Sequence, residues 1–134
     1  MNWDEYARWG KESSDWGSDY HKTLRDRPVR AKVAPGDIDA LLSLSPPEQG
    51  EDMALIMEDF ERVVMPGITH WQHPRFFAYF PSNASPPAIL ADFLTSTMAV
   101  NSLLWQTSPA ATEMETRMME WLRQAVGLSD DFAG

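Results

Sequence analysis

The sequence has no cysteine, which excludes disulfides and thiolate metal sites and leaves the redox compartment undetermined. It has no apolar run near the ~18 residues that a membrane-spanning helix requires, so no span is predicted. Its first residues, Met-Asn-Trp-Asp-Glu-Tyr, lack the basic and apolar stretches of a secretory leader, and the expected location is the cytoplasm. Its glycines are scattered, and none forms a phosphate-cradling loop. Lys11, Lys22 and Lys32 lie in a polar N-terminal region, with no apolar setting to depress an amine for Schiff-base chemistry. Basic charge is scarce as well. Eleven basic residues face 20 acidic ones, a net charge of −9. A phosphate backbone would be repelled by most of this surface, so no nucleic-acid partner is expected.

What is present is globular in balance. Hydrophobic residues make up 43% and charged residues 23% of 134 residues, enough for one domain with a core. Trp9, Trp16, Tyr20 and Leu24 recur at helical spacing and predict a helix over 3–25. Arg27-Pro28 and Ala34-Pro35-Gly36 break it into a linker. Asp37 is placed to cap a short helix reaching Leu42. Met53, Ile56, Met57, Phe60, Val63 and Val64 give the clearest amphipathic stripe, over 51–64, and Pro66-Gly67 ends it. Ser85-Pro86-Pro87 and Ser108-Pro109 each read as a cap followed by first-turn proline. Ile89, Leu90, Phe93, Leu94 and Met98 follow the first. Met114, Met118, Trp121, Leu122 and Ala125 follow the second. Glu113 is expected near the start of that last helix, where a carboxylate favours the positive end. Gly127 is expected as its C-terminal cap. The fold class predicted for the chain is all-α, with a long aromatic loop at its centre.

That loop, residues 67–84, holds Trp71, Phe76, Phe77, Tyr79 and Phe80. Covering five such rings is worth on the order of 20–30 kcal/mol as an upper bound. Cover is therefore expected from the chain's own helices, another subunit or a further domain. By spacing alone the loop suits plain core more readily than the wall of a pocket for a flat ligand, and both readings stay open. The first helix is open in the same way. It either folds back on its own domain or serves as an arm on a neighbour. His70 and His73 have a spacing two metal ligands can share, but Pro74 follows and no third ligand sits at a recognisable distance, so no metal is expected. Nothing resembles a nucleophile elbow.

Several stretches together resemble a known family. Met65-Pro66-Gly67-Ile68-Thr69-His70-Trp71 runs into His73-Pro74-Arg75-Phe76-Phe77-Ala78-Tyr79-Phe80-Pro81. Pro87-Ala88-Ile89-Leu90-Ala91-Asp92 follows, then Trp105-Gln106-Thr107-Ser108-Pro109-Ala110-Ala111-Thr112-Glu113-Met114-Glu115. The series is similar to the start of group II pyridoxal-phosphate-dependent decarboxylases, the aromatic-L-amino-acid decarboxylase family.

The resemblance implies an extended helical N-terminal segment of a fold type I α/β enzyme, whose large cofactor domain is expected beyond this chain. Residues 1–44 would be a dimer-wrapping arm and linker, and residues 45–134 the remainder of the helical domain. It implies a pyridoxal 5'-phosphate cofactor held mainly elsewhere, on a second polypeptide bearing the Schiff-base lysine, within a homodimer-type assembly. It implies conversion of an aromatic L-amino acid to an amine and carbon dioxide, with this chain inactive alone. Substrate-binding roles carry over to Trp71, Tyr79, Phe80, Pro81 and Ser82, and across the dimer to Asn101 and Leu103. Ser82 stands where animal members have threonine, and Asn101 and Leu103 where many have larger apolar residues, which leaves the preferred side chain open. No catalytic, cofactor-binding or metal-binding residue is assigned to this chain. The competing reading is a non-catalytic helical dimerisation module.

Overall fold

The computed structural model describes residues 1–80 and 83–132. These form helices and turns with no strand among the described residues, as the periodicity predicts. Contacts divide the chain into two units, Met1–Asn83 and Ala84–Gly134.

The first unit opens with α1, Trp3–Thr23. Asn2 caps it: its side chain accepts from the Asp4 and Glu5 amides, while Glu5 accepts from the Asn2 amide at 2.8 Å. That reciprocal pair satisfies donors that a helix start leaves unpaired. A 3₁₀ turn over Leu24–Asp26 ends the helix and buries Leu24. The short helix expected after Asp37 is a 3₁₀ turn over Asp39–Leu41. Asp37 does not cap it; its carboxylate accepts from the Ala34 amide at 2.7 Å and closes the preceding turn instead.

The helix expected over 51–64 begins as α2, Met53–Asp59, capped by Asp52. It then widens into a π turn over Phe60–Val64, in which the Met65 amide reaches back five residues to the Phe60 carbonyl. A 3₁₀ turn over Met65–Gly67 finishes it at the predicted Pro-Gly stop. Gly67 lets the Ile38 side chain approach closely: a Cβ there would stand 2.9 Å from its tip, which would have to shift. Among the described residues of this unit, Leu24, Val63, Met65, His70 and His73 are buried.

The second unit carries α3, Pro86–Met98, and α4, Pro109–Ala125. Ser85 caps α3 through the Ala88 amide, with prolines in the first turn as expected. Ser108 begins α4 without a side-chain cap bond. Glu113 lies beyond the first turn, where its carboxylate accepts from the Trp105 indole at 2.8 Å, so it serves that ring rather than the helix end. At the far end Gly127 takes a φ of 75°. Its amide donates to the Gln124 carbonyl and the Leu128 amide to the Arg123 carbonyl. These two bonds make a Schellman cap, the role expected of Gly127. No described residue of this unit is buried. The apolar residues of α3 and α4 face solvent in this chain, a state a helix as apolar as α3 does not keep without a partner surface.

Candidate functional site

The aromatic loop is built on two successive turns. The His73 amide donates to the His70 carbonyl, and the Phe76 amide to the His73 carbonyl, each at 2.9 Å. Both histidines are buried, at 3% exposure, in a loop whose aromatic rings are mostly open. Each ring reaches back towards α1. A hydrogen bond of 2.8 Å joins His70 Nδ1 and the Tyr20 hydroxyl. His73 Nδ1 accepts from the Arg75 amide at 3.0 Å, which leaves Nε2 to carry the proton and donate to the Arg25 carbonyl at 3.2 Å. The His70 amide donates to the Val29 carbonyl at 3.0 Å. The His-x-x-His spacing therefore serves to fasten a loop to a helix.

Tyr20 is the centre of that fastening. Trp16 stacks on it at 5.3 Å, the Arg27 guanidinium lies over its ring at 4.9 Å, and the His70 ring lies 5.5 Å away. Trp16 also meets Phe60 edge-on at 5.1 Å, and its indole donates to the Glu61 carboxylate. The π turn thus offers two consecutive residues to one tryptophan. The C-terminal half of α1 folds back on its own unit, whereas Trp3 at its start is 81% exposed. Burial raises the Tyr20 phenol above its ordinary value, opposed by the charge of Arg27. Burial also lowers His70, assisted by Arg27 and His73, so both groups of the pair are held neutral.

Trp71 lies between the two anchored histidines. Its ring stacks on Tyr79 at 5.7 Å with planes 19° apart and leans on Phe76 at 5.1 Å. Tyr79 reaches that position with a φ of 56°, a left-handed conformation costly for an aromatic residue. Trp71 is half exposed, and Phe77, Tyr79 and Phe80 are 91%, 82% and 98% exposed. The cover expected for the loop is not supplied by its own unit. Trp71 and Tyr79 are thus brought together, while Phe80 projects alone into solvent. Pro81 and Ser82 lie outside the described residues.

Asn101 and Leu103 belong to the second unit. The Asn101 side chain accepts from the Leu103 amide at 2.8 Å, and the Thr107 hydroxyl donates to the Asn101 and Leu104 carbonyls. This loop is fixed by its own polar groups, with the Leu103 side chain 81% exposed at its tip.

Residues 35–134 match the pyridoxal-dependent decarboxylase conserved domain. The chain belongs to this family. It is 43% identical over 132 residues to an aromatic-L-amino-acid decarboxylase of Manduca sexta, covering 98% of this chain and 26% of that one. It is 44% identical over 132 residues to a histidine decarboxylase of Drosophila melanogaster, covering 98% and 16%. The structure of Oryza sativa TDC with PLP and tryptamine matches with a TM-score of 0.94 and 38% identity, over 99% of this chain and 28% of that one. Catharanthus roseus tryptophan decarboxylase in complex with L-tryptophan matches with a TM-score of 0.93 and 32% identity, over 99% and 29%. The chain spans about a quarter of the length of the aromatic-amino-acid relatives it matches. The family expected from the sequence motifs is thereby borne out.

The family is pyridoxal-dependent, and the lysines of this chain do not offer the amine that would hold that cofactor. Lys11 and Lys22 are exposed and ion-paired with Asp15 and Asp19. Lys32 is exposed in the linker. None stands in the dry apolar setting that Schiff-base chemistry requires. No step of a reaction through the cofactor is therefore assigned to these residues.

Proposed function

We propose that this chain is the N-terminal region of a pyridoxal-phosphate-dependent decarboxylase of aromatic L-amino acids, and that it supplies one wall of the substrate site and part of a homodimer interface. The observation that carries this reading is the exposed Trp71–Tyr79 stack on a loop secured by two buried histidines. A rigid, open pair of aromatic faces suits a flat substrate side chain, which would stack on it and complete the burial the loop lacks. Phe80, Pro81 and Ser82 would extend the wall, with a hydroxyl at Ser82. Asn101 and Leu103 would approach from the partner subunit.

The chain's contribution is orientation and exclusion of water. Holding the aromatic side chain against a fixed wall sets the direction of the carboxylate bond relative to the reacting group. Bond cleavage belongs to residues and a cofactor that this chain does not hold. Tryptophan decarboxylation is named for one structural relative and histidine decarboxylation for one sequence relative. The aromatic reading for this chain rests on the stacked pair.

Residues 1–44 would act partly as an arm, with the exposed start of α1 on the partner, and the open faces of α3 and α4 would join the same interface. Purification of the natural protein tests the whole reading. A yellow preparation is expected, in which mass spectrometry finds this chain together with a cofactor-bearing lysine, on one polypeptide or two. A folded, colourless dimer made of this chain alone would refute the reading in favour of a non-catalytic dimerisation module.

A further inference from the structure

We propose that Tyr20 and His70 are positioning residues for the aromatic wall, setting the place of Trp71 from α1 without touching the substrate. The proposal rests on the reading of the Trp71–Tyr79 pair as that wall. Trp71 follows His70 directly, so whatever fixes the His70 ring and amide fixes the start of the Trp71 backbone. Three bonds do so: His70 Nδ1 with the Tyr20 hydroxyl at 2.8 Å, the His70 amide with the Val29 carbonyl at 3.0 Å, and the His70 carbonyl with the His73 amide at 2.9 Å. Of these, only the first reaches α1. Tyr20 is itself clamped by Trp16 and Arg27, and Trp16 by Phe60 and Glu61. The π turn, α1 and the loop are thereby joined through consecutive ring contacts and hydrogen bonds. The pair is well suited to this task because His70 is 3% exposed and the Trp71 ring 45% exposed. The Trp71 ring touches Phe76 and Tyr79, which belong to the same loop, so the place of all three relative to α1 is set through the buried residue before Trp71.

The test uses the whole decarboxylase that carries this chain, labelled with 5-fluorotryptophan, with the Trp71 resonance assigned by Trp71→Phe. Tyr20→Phe keeps the ring and removes the hydroxyl. It should shift the Trp71 fluorine resonance, leave that of Trp121 in place, and raise KM for an aromatic amino acid about 3- to 10-fold with kcat within about twofold. His70→Leu should do the same. His70→Asn, whose amide oxygen can stand where Nδ1 was, should restore most of the parent behaviour. If His70→Leu does not fold, the Tyr20→Phe comparison decides. An unmoved Trp71 resonance in Tyr20→Phe overturns the proposal. A moved resonance with unchanged KM supports positioning and counts instead against the wall as a substrate site.

Discussion

Trp71 and Tyr79 stack with their planes 19° apart because Tyr79 adopts a φ of 56°, a conformation that favours asparagine or glycine. The ring is 82% exposed, so the strain is not offset by burial within the unit. Tyr79→Asn separates backbone from ring. Asparagine tolerates the left-handed region, so thermal stability should hold or rise slightly. Removing the stacked face should raise KM for aromatic substrates roughly fivefold, on the scale of one aromatic contact of about 1 kcal/mol. A fall in melting temperature with unchanged KM would show that the residue serves the fold instead.

His70 makes the fastening of the loop sensitive to acid. Burial, Arg27 and His73 lower it from its ordinary value of 6.5, and the Tyr20 hydroxyl faces it from α1. Between the lowered value and 6.5 the unfolded chain binds more protons, so stability rises with pH across that window. It is fully present above about 6.5 and is lost as pH falls towards the folded value. Urea unfolding of the whole protein from pH 7.5 to 5 should show this slope, and His70→Asn should flatten it.

The helices were legible because their periodicity and caps are local. Ser85 and Gly127 act within a few residues of where they stand, as their types predict, whereas Asn2 and Asp52 cap α1 and α2 without having been singled out. The π turn was not legible. Its residues continue the apolar stripe of α2, and the ring they serve, Trp16, is 45 residues from Glu61. The role of His70 and His73 was hidden for the same reason, since their partners Tyr20 and Arg25 lie 50 and 48 residues away. For the aromatic loop, residue types correctly signalled a need for cover, but spacing alone favoured core. Its exposure within the unit turns that need outward.

Trp3 and Trp16 should behave oppositely, although both lie on α1. Trp16 packs on Tyr20 and Phe60 within its own unit. Trp16→Ala should cost about 2 kcal/mol of folding stability through lost packing. Trp3 is 81% exposed and meets the Tyr6 ring edge-on at 5.5 Å. If α1 reaches a partner subunit as proposed, Trp3→Ala should leave unfolding nearly unchanged and raise the dimer dissociation constant roughly tenfold, as for an interface anchor. Sedimentation equilibrium beside chemical denaturation measures both.

Ala99 ends α3 with a φ of 50° while its amide still donates to the Thr95 carbonyl. Alanine at that position strains the backbone, whereas glycine fits it freely. Ala99→Gly should stabilise the protein by about 0.5–1 kcal/mol, the strain relieved less the greater freedom of an unfolded glycine. Differential scanning calorimetry would register an upward shift. A downward shift would mean that the methyl group packs usefully in the assembled protein.

Arg123 closes the end of α4 from several directions. It grips Glu120 with two nitrogens at 2.7 and 2.8 Å, donates to the Leu128 carbonyl at 2.7 Å, and lies 2.8 Å from Asp130. The hydrogen bonds from Arg123, then from Gln124, push Glu120 from an ordinary 4.5 down to about 2. A depressed carboxylate contributes stability above its unfolded value and loses it as pH falls through the folded one, here from about 4.5 to about 2. Arg123→Met keeps much of the stem packing and removes the fork. The Glu120 carboxyl carbon, followed by NMR, should then titrate well above 2, still held below 4.5 by Gln124, and the acid dependence of stability should shrink accordingly. If the titration stays near 2, Gln124 and the helix backbone hold the carboxylate and Arg123 serves chiefly to tie down the chain after Gly127.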